Sequence, residues 1–127
     1  MATGISGYLA NQWLDALGNN DTFAVTNVYV KLHVGDPGSA ATANAATETT
    51  RKEASFSAAS SGSLTSDAAL TWTNISGSQD ATHFSAWDNL TAGNFLFSGT
   101  VTANAYTAGD TFTIASTSLT VSLTVAS

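Results

Sequence analysis

The chain carries two histidines and nine acidic residues, the side chain types that most often bind metals or transfer protons. Neither His33 nor His83 has an acidic neighbour at the spacing of a metal-binding motif. The segment Gly4-Ile5-Ser6-Gly7 is one residue too short for a nucleophile elbow, and no strand precedes it. We therefore predict a protein that is not an enzyme, with no catalytic residues, no metal ion and no cofactor.

The aspartates fall in segments with the composition of turns, where their side chains bond nearby backbone N–H groups. His33 lies close to one of them, Asp36, and a contact between the two would stabilise that loop. A Ca²⁺ site shared by two such loops is the alternative, although the sequence has no EF-hand spacing. The aspartates in turns are Asp21, Asp36, Asp80, Asp88 and Asp110.

The aromatic residues are the stronger candidates for a functional surface. We expect Trp72 in the core and Trp13 either in the core or against a neighbouring subunit. Trp87 alternates with Phe84 and is expected on the outer face of a strand, with His83 beside it. An exposed tryptophan suits sugar stacking or a protein–protein contact, and a single tryptophan favours the second. The predicted interface residues are Trp13, Trp87 and His83.

Charge limits the class of partner. Only 9% of the residues are charged, and nine acids oppose Lys31, Arg51 and Lys52, which gives a net charge of −6. Because neutralisation of phosphates supplies most of the affinity for nucleic acids, we expect no nucleic acid partner. The same shortage of cations disfavours an anionic membrane surface, whereas a positively charged protein lattice remains compatible. The chain has no cysteine, so its fold does not rest on disulfides.

No targeting signal is recognisable at the start of the chain. Residues 1–7 lack the basic and apolar regions of a signal peptide, and no segment has the ~20 apolar residues of a membrane span. We therefore expect synthesis in a cytoplasm and no association with a membrane.

The first element is predicted to be a helix over about 5–17. Ile5, Leu9 and Trp13 recur at a spacing of four, and Ala16 and Leu17 continue this stripe. Ser6 is the expected N-cap and Gly18 the expected C′ residue. The helix could complete the core of its own sheet, dock on a partner subunit, or do both.

From about residue 25 onward the pattern has a period of two, which predicts strands. The first strand, Val25–Val34, ends in a turn in which Pro37 and Gly38 occupy the two central positions. The fifth predicted strand, 94–103, is apolar on both sides at its start and is therefore expected to be central. The other predicted strands cover 51–57, 69–73, 83–88, 111–115 and 119–125, with the last one reaching the C-terminus. The prediction is a mainly β chain, a single antiparallel β-sandwich or jelly-roll-like domain over 1–127 with one short N-terminal helix.

The order of several segments resembles a family of small phage virion structural proteins, often labelled tail-fibre or minor tail proteins. The helical start is followed by Leu32-His33-Val34-Gly35-Asp36-Pro37-Gly38, an LHxGDPG-like motif, and by an Ala/Thr-rich region. Ala81–Asp88, Gly93–Gly99 and Ala108–Phe112 then follow in turn. The resemblance implies a non-enzymatic component of the virion, made in the cytoplasm of the bacterial host.

Three functions are compatible with this resemblance and with the composition. The first is a capsid decoration (cement) protein on the outer surface of the particle, with Trp13 or the Ser39–Thr50 loop at its interfaces. The second is a tail-fibre or minor tail protein, and the third a carbohydrate-binding adhesin module. The expected partners are other virion proteins, either the major capsid protein or tail proteins. Analogy with other virion appendages favours a homo-oligomer, specifically a homotrimer.

Overall fold

A computed structural model describes residues 3–126 and contains one helix and eight strands. The mainly β, antiparallel prediction with one short helix is confirmed. In chain order the elements are α1 (Gly7–Gly18), β1 (Val28–His33), β2 (Lys52–Ala54), β3 (Ser63–Thr65), β4 (Leu70–Trp72), β5 (Gln79–Trp87), β6 (Phe95–Tyr106), β7 (Phe112–Ile114) and β8 (Thr120–Ser122).

Helix α1 has the predicted N-cap, Ser6, but it begins at Gly7 rather than at about residue 5 and ends one residue later than predicted. The Ser6 hydroxyl accepts a hydrogen bond from the Leu9 N–H at 3.0 Å, which satisfies one of the free N–H groups of the first turn. Gly18 is the last helical residue, Asn19 is the C-cap, and Asn20 adopts the left-handed conformation with φ of 57°. The prediction of Gly18 at C′ is therefore wrong, because asparagine also tolerates this conformation and ends the helix instead.

The largest sheet is antiparallel, with the strand order β2-β1-β5-β6. Two rows of paired residues form its core face, Val30 with Ala86 and Phe97, and Leu32 with Phe84 and Gly99. Two short ribbons, β3-β8 and β4-β7, complete the structure. They add Trp72, Phe112 and Ile114 to the same buried cluster, so the core lies between the sheet and the ribbons, as in a sandwich.

Strand β6 lies at an edge of the sheet, so the prediction of a central strand is wrong. The apolar residues on both sides of β6 therefore do not reflect a central position in the sheet. A register shift between Ala86 and Trp87 places Leu96 and Phe97 opposite Ala86, as in a β-bulge, and both are buried. Phe95 contacts Trp87 while Phe97 contacts Phe84 on the other face, so the two phenylalanines do not share a face as the alternation predicted.

The centre and the end of the chain differ from the predicted strands. Strand β3 forms where no strand was predicted, and β5 begins at Gln79, four residues before the predicted strand 83–88. Strand β1 starts three residues later than predicted, and β8 ends at Ser122 rather than at the C-terminus. Short strands with few apolar residues leave little periodicity in the sequence, which explains why β3 was missed.

The Ser39–Thr50 loop packs against the end of β1. The N–H of Val34 donates to the carbonyl of Asn44 at 2.8 Å, and the N–H of Ala46 donates to the carbonyl of Leu32 at 3.1 Å. Ala46 and Ala41 are buried. The preceding turn has the predicted conformation, with φ of 79° at Gly38. This loop therefore covers the last residues of β1.

Candidate interaction surface

Strand β5 places Trp87, Ser85 and His83 on the face of the sheet opposite Phe84. The Trp87 ring is half-buried and lies 5.7 Å from the Phe95 ring, centroid to centroid. Its Nε1–H donates to the Ser85 hydroxyl oxygen at 2.8 Å. Trp87 is thus at the surface as predicted, but its polar edge is already engaged within the protein.

Arg51 covers the Trp87 ring and holds the turn that follows β5. Its guanidinium carbon lies 4.2 Å from the ring centroid, within the range of a cation–π contact. Its Nη1 donates to the carbonyls of Asn89 and Ala92, both at 2.7 Å. Burial lowers the pKa of Arg51, partly offset by the nearby carboxylate of Asp88. One ring face of Trp87 is consequently occupied, which does not favour the stacking of a sugar there.

A series of hydrogen bonds continues from Trp87 along the outer face of the sheet to His33, which lies under the Ser39–Thr50 loop. His33 is fully buried, although it lies on the outer face of β1, because the loop around Ala43 covers it. Its Nδ1 lies 2.9 Å from the Ala43 carbonyl and its Nε2 lies 2.8 Å from the Ser85 hydroxyl. Because a carbonyl only accepts, the neutral ring carries its proton on Nδ1, and Ser85 donates to Nε2 while accepting from Trp87.

Burial lowers the pKa of His33, and the charge of Lys31 and the neighbouring His83 lower it further, against the raising effect of the Ala43 carbonyl. The suggested contact between His33 and Asp36 is not what the structure shows. Asp36 instead accepts a hydrogen bond from the Gly38 N–H at 2.8 Å, the local bond expected for an aspartate in a turn.

His83, the second predicted interface histidine, is half-buried and pairs across the sheet with His33 and with Thr100. The Thr82 hydroxyl and His83 Nδ1 form a hydrogen bond of 2.8 Å. His83 and Trp87 therefore share one face of β5, four residues apart.

Trp13 lies elsewhere, on helix α1, where it lines a groove of about 520 Å³ together with Phe23, Phe56 and Phe97. Phe97 belongs to the core face of the sheet, whereas Trp87 belongs to the other face. Trp72 is buried, as predicted, and donates from Nε1 to the Thr50 carbonyl at 2.8 Å. The three predicted interface residues thus form two separate surfaces, and their roles at an interface stay predictions.

A buried carboxylate, Glu48, lies outside both surfaces. It accepts hydrogen bonds from the N–H groups of Ser76 at 2.9 Å and Thr50 at 3.1 Å. Burial acts to raise the pKa of Glu48, but these hydrogen bonds and the charge of Lys52 outweigh it and lower the pKa.

Within residues 3–126 no three histidine or acidic side chains are grouped so as to hold a metal ion. The described helix is too short and too polar to cross a membrane.

Sequence reasoning did not identify Arg51 or Ser85 as organising residues. Arg51 is separated from its carbonyl partners by about forty residues of chain. Its scarcity, as one of three cations in the chain, is the signal that could have indicated a structural role.

The family of the chain follows from a comparison with protein-family models. The model described as podophage GP4 fiber I protein gp80 matches residues 4–122. The chain belongs to this family. The match runs from just before α1 to the end of β8, so it covers every element of the fold. No curated protein sequence matches the chain.

This membership makes the chain a structural protein of a bacteriophage and a component of the virion. The prediction of a phage structural family is confirmed at that level. The family is one of fibre structural proteins, which are typically not enzymes.

Proposed function

We propose that the protein is a subunit of a phage fibre and acts through contacts with other virion proteins. The observation that carries this proposal is the match of residues 4–122 to the family of a podophage fibre protein. The same match favours the tail-fibre alternative over the capsid decoration role that was expected first.

The surface chemistry supports a role in assembly. Three ionisable side chains are engaged inside the protein: Arg51 holds a turn, Glu48 accepts hydrogen bonds from backbone N–H groups, and His33 is buried. The remaining surface is uncharged over long stretches and acidic overall. Such a surface disfavours the phosphate backbone of the packaged genome and leaves association with proteins.

We propose that three copies of the chain associate as a homotrimer within the fibre. The half-buried Trp87 with His83, and separately Trp13 on α1, supply the contacts. Residues 4–6 pair with the edge of β6 at Leu96–Ser98. The rest of this long edge supports self-assembly, because pairing or covering of such edges prevents uncontrolled aggregation of a protein present in many copies.

Immunogold labelling of purified particles tests the location. An antibody raised against the isolated protein is expected to label fibres that project from the particle. Uniform labelling over the capsid would contradict the fibre role and restore the decoration role. Particles of an unrelated phage that lacks this protein serve as the control for non-specific labelling.

A further inference from the structure

A short segment of the Ser39–Thr50 loop covers His33, and we call this segment, residues 40–46, the flap. It consists of five alanines, one threonine and one asparagine, so it carries no ionisable side chain. Ala41 and Ala46 are buried, while the other residues of the flap are exposed. Because alanine side chains are small, the flap buries little apolar surface against the sheet.

Backbone hydrogen bonds hold the flap in place. The Val34 N–H donates to the carbonyl of Asn44, and the Ala46 N–H donates to the carbonyl of Leu32. The flap also has two residues in the left-handed conformation, Ala41 with φ of 56° and Asn44 with φ of 53°. Asparagine tolerates this conformation, but alanine is disfavoured in it. Little buried surface and a disfavoured backbone make the flap easier to open than the sheet beneath it.

The environment of His33 under the flap favours the neutral form of the ring. Both hydrogen-bond partners of the ring, the Ala43 carbonyl and the Ser85 hydroxyl, are uncharged. A second ring proton would lie on Nε2, and the Ser85 hydroxyl, which donates to Nε2 of the neutral ring, would then lose its acceptor. The charged ring would also be kept from water, which is costly for a charge without a counter-ion.

The charged groups around His33 do not compensate for this cost. Among the described residues, the groups whose charges act on His33 are Lys31 on the same strand and His83 opposite on β5, and both disfavour a charged ring. Two carboxylates flank the flap in the chain, those of Asp36 and Glu48, and each accepts hydrogen bonds from backbone N–H groups instead.

We propose that the flap is an acid-sensitive cover, which leaves the outer face of the sheet when His33 takes up a proton from solvent, while the sheet stays folded. Opening of the flap exposes the charged ring to water. His33 and His83 are directly opposite each other on β1 and β5, so the opening enlarges the surface that holds His83 and Trp87. The inference goes beyond the fibre role and does not depend on it.

The sign of the effect follows from the pKa of His33 in the two forms. With the flap open, the ring is in water and its pKa is about 6.5. With the flap closed, burial keeps the pKa of His33 lower. The open fraction therefore rises as the pH falls below about 6.5, by up to about tenfold for each pH unit, until the pKa of the closed form is reached. Because the pKa of Glu48 is also lowered, its hydrogen bonds persist over this range and hold the chain just after the flap.

Amide hydrogen exchange of the whole chain tests the inference, measured by NMR at a pH of about 7.5 and about 5.5 and expressed as protection factors. The amides of Val34 and Ala46, which bond across the flap, should lose protection about three- to tenfold at the lower pH. The amide of Ser66, which bonds the Leu119 carbonyl in the other layer, should keep its protection.

His33→Gln removes the titrating group, so the loss of protection at the lower pH should disappear in this variant. His83→Gln is the matched control, because His83 is half-buried on the same face and directly opposite His33, and the loss should remain there. An NMR titration of the His33 ring in the unmodified protein gives a readout that needs no substitution. The ring should be neutral with its proton on Nδ1 at a pH of about 7.5, and its protonation should accompany the exchange of the flap amides.

Equal losses of protection at Ser66 and at the flap amides would overturn the inference, because the whole protein would then be opening. So would protection of Val34 and Ala46 that is the same at both pH values, or a loss that persists in His33→Gln. If His33→Gln does not fold, the exchange and the ring titration of the unmodified protein decide.

Discussion

Replacement of Ser85 by alanine should destabilise the protein more than its small change in volume suggests. The fully buried Ser85 hydroxyl bonds both His33 Nε2 and Trp87 Nε1 at 2.8 Å. Ser85→Ala leaves two polar groups without their partner, and each unsatisfied buried group costs about 1–3 kcal/mol. Trp87 is half-buried and can recover part of its loss from water. We therefore expect the free energy of unfolding to fall by about 2–3 kcal/mol, which lowers Tm by roughly 10 °C for a chain of this size.

Ser98→Ala is the matched control for this prediction. Ser98 pairs directly with Ser85 in the neighbouring strand and is also buried, but its hydroxyl accepts only a long hydrogen bond of 3.3 Å from the Gly4 N–H. The same substitution there should cost less than about 1 kcal/mol. Urea unfolding followed by tryptophan fluorescence measures both variants. Equal losses of stability in the two variants would refute the account of Ser85 as the link between His33 and Trp87.

Three further perturbations test other parts of the structure. Because burial lowers the pKa of His33 in the folded state, the unfolded state binds more protons, so the free energy of unfolding should decrease as the pH falls below 6.5. A pH series of urea unfolding should show that decrease shrink in His33→Gln, and an unchanged slope would contradict the assignment. Arg51→Lys should lower stability by about 1 kcal/mol, since lysine cannot reproduce the geometry of the guanidinium, and should speed amide hydrogen exchange in the 89–93 turn. Unchanged exchange there would show that Arg51 does not hold the turn. A β-carbon at Gly99 would lie 2.8 Å from a core phenyl ring, so Gly99→Ala should lower the free energy of unfolding by about 1–3 kcal/mol, as measured by thermal unfolding. Gly7→Ala is the control: its new β-carbon would have nothing within 4 Å, so the change should be neutral or stabilising. Equal effects of the two substitutions would refute the close packing at Gly99.

The sequence predicted those elements whose residues alternate regularly and interact locally. The first strand, the core position of Trp72 and the Ser6 cap of α1 all follow from periodicity or from contacts within a few residues. The alternation failed in β6, because a bulge that brings Leu96 and Phe97 together has no local signature.

The organisation around Trp87 depended on contacts that periodicity does not encode. His33 is on the outer face of β1, as its position in the alternation requires, yet the loop around Ala43 covers it. Arg51, which directly precedes β2, reaches the turn after β5 only because β2 and β5 both lie beside β1. Such contacts join distant parts of the chain, and the sequence alone gave no basis for pairing them.

The number of copies in the virion tests the central claim most directly. Quantitative mass spectrometry of purified particles, with isotope-labelled peptides of this chain and of the major capsid protein, gives the ratio of the two proteins. A fibre subunit is expected in far fewer copies than the major capsid protein. A ratio fixed by the capsid lattice, with one copy for each capsid subunit or for each small group of them, would contradict the fibre role.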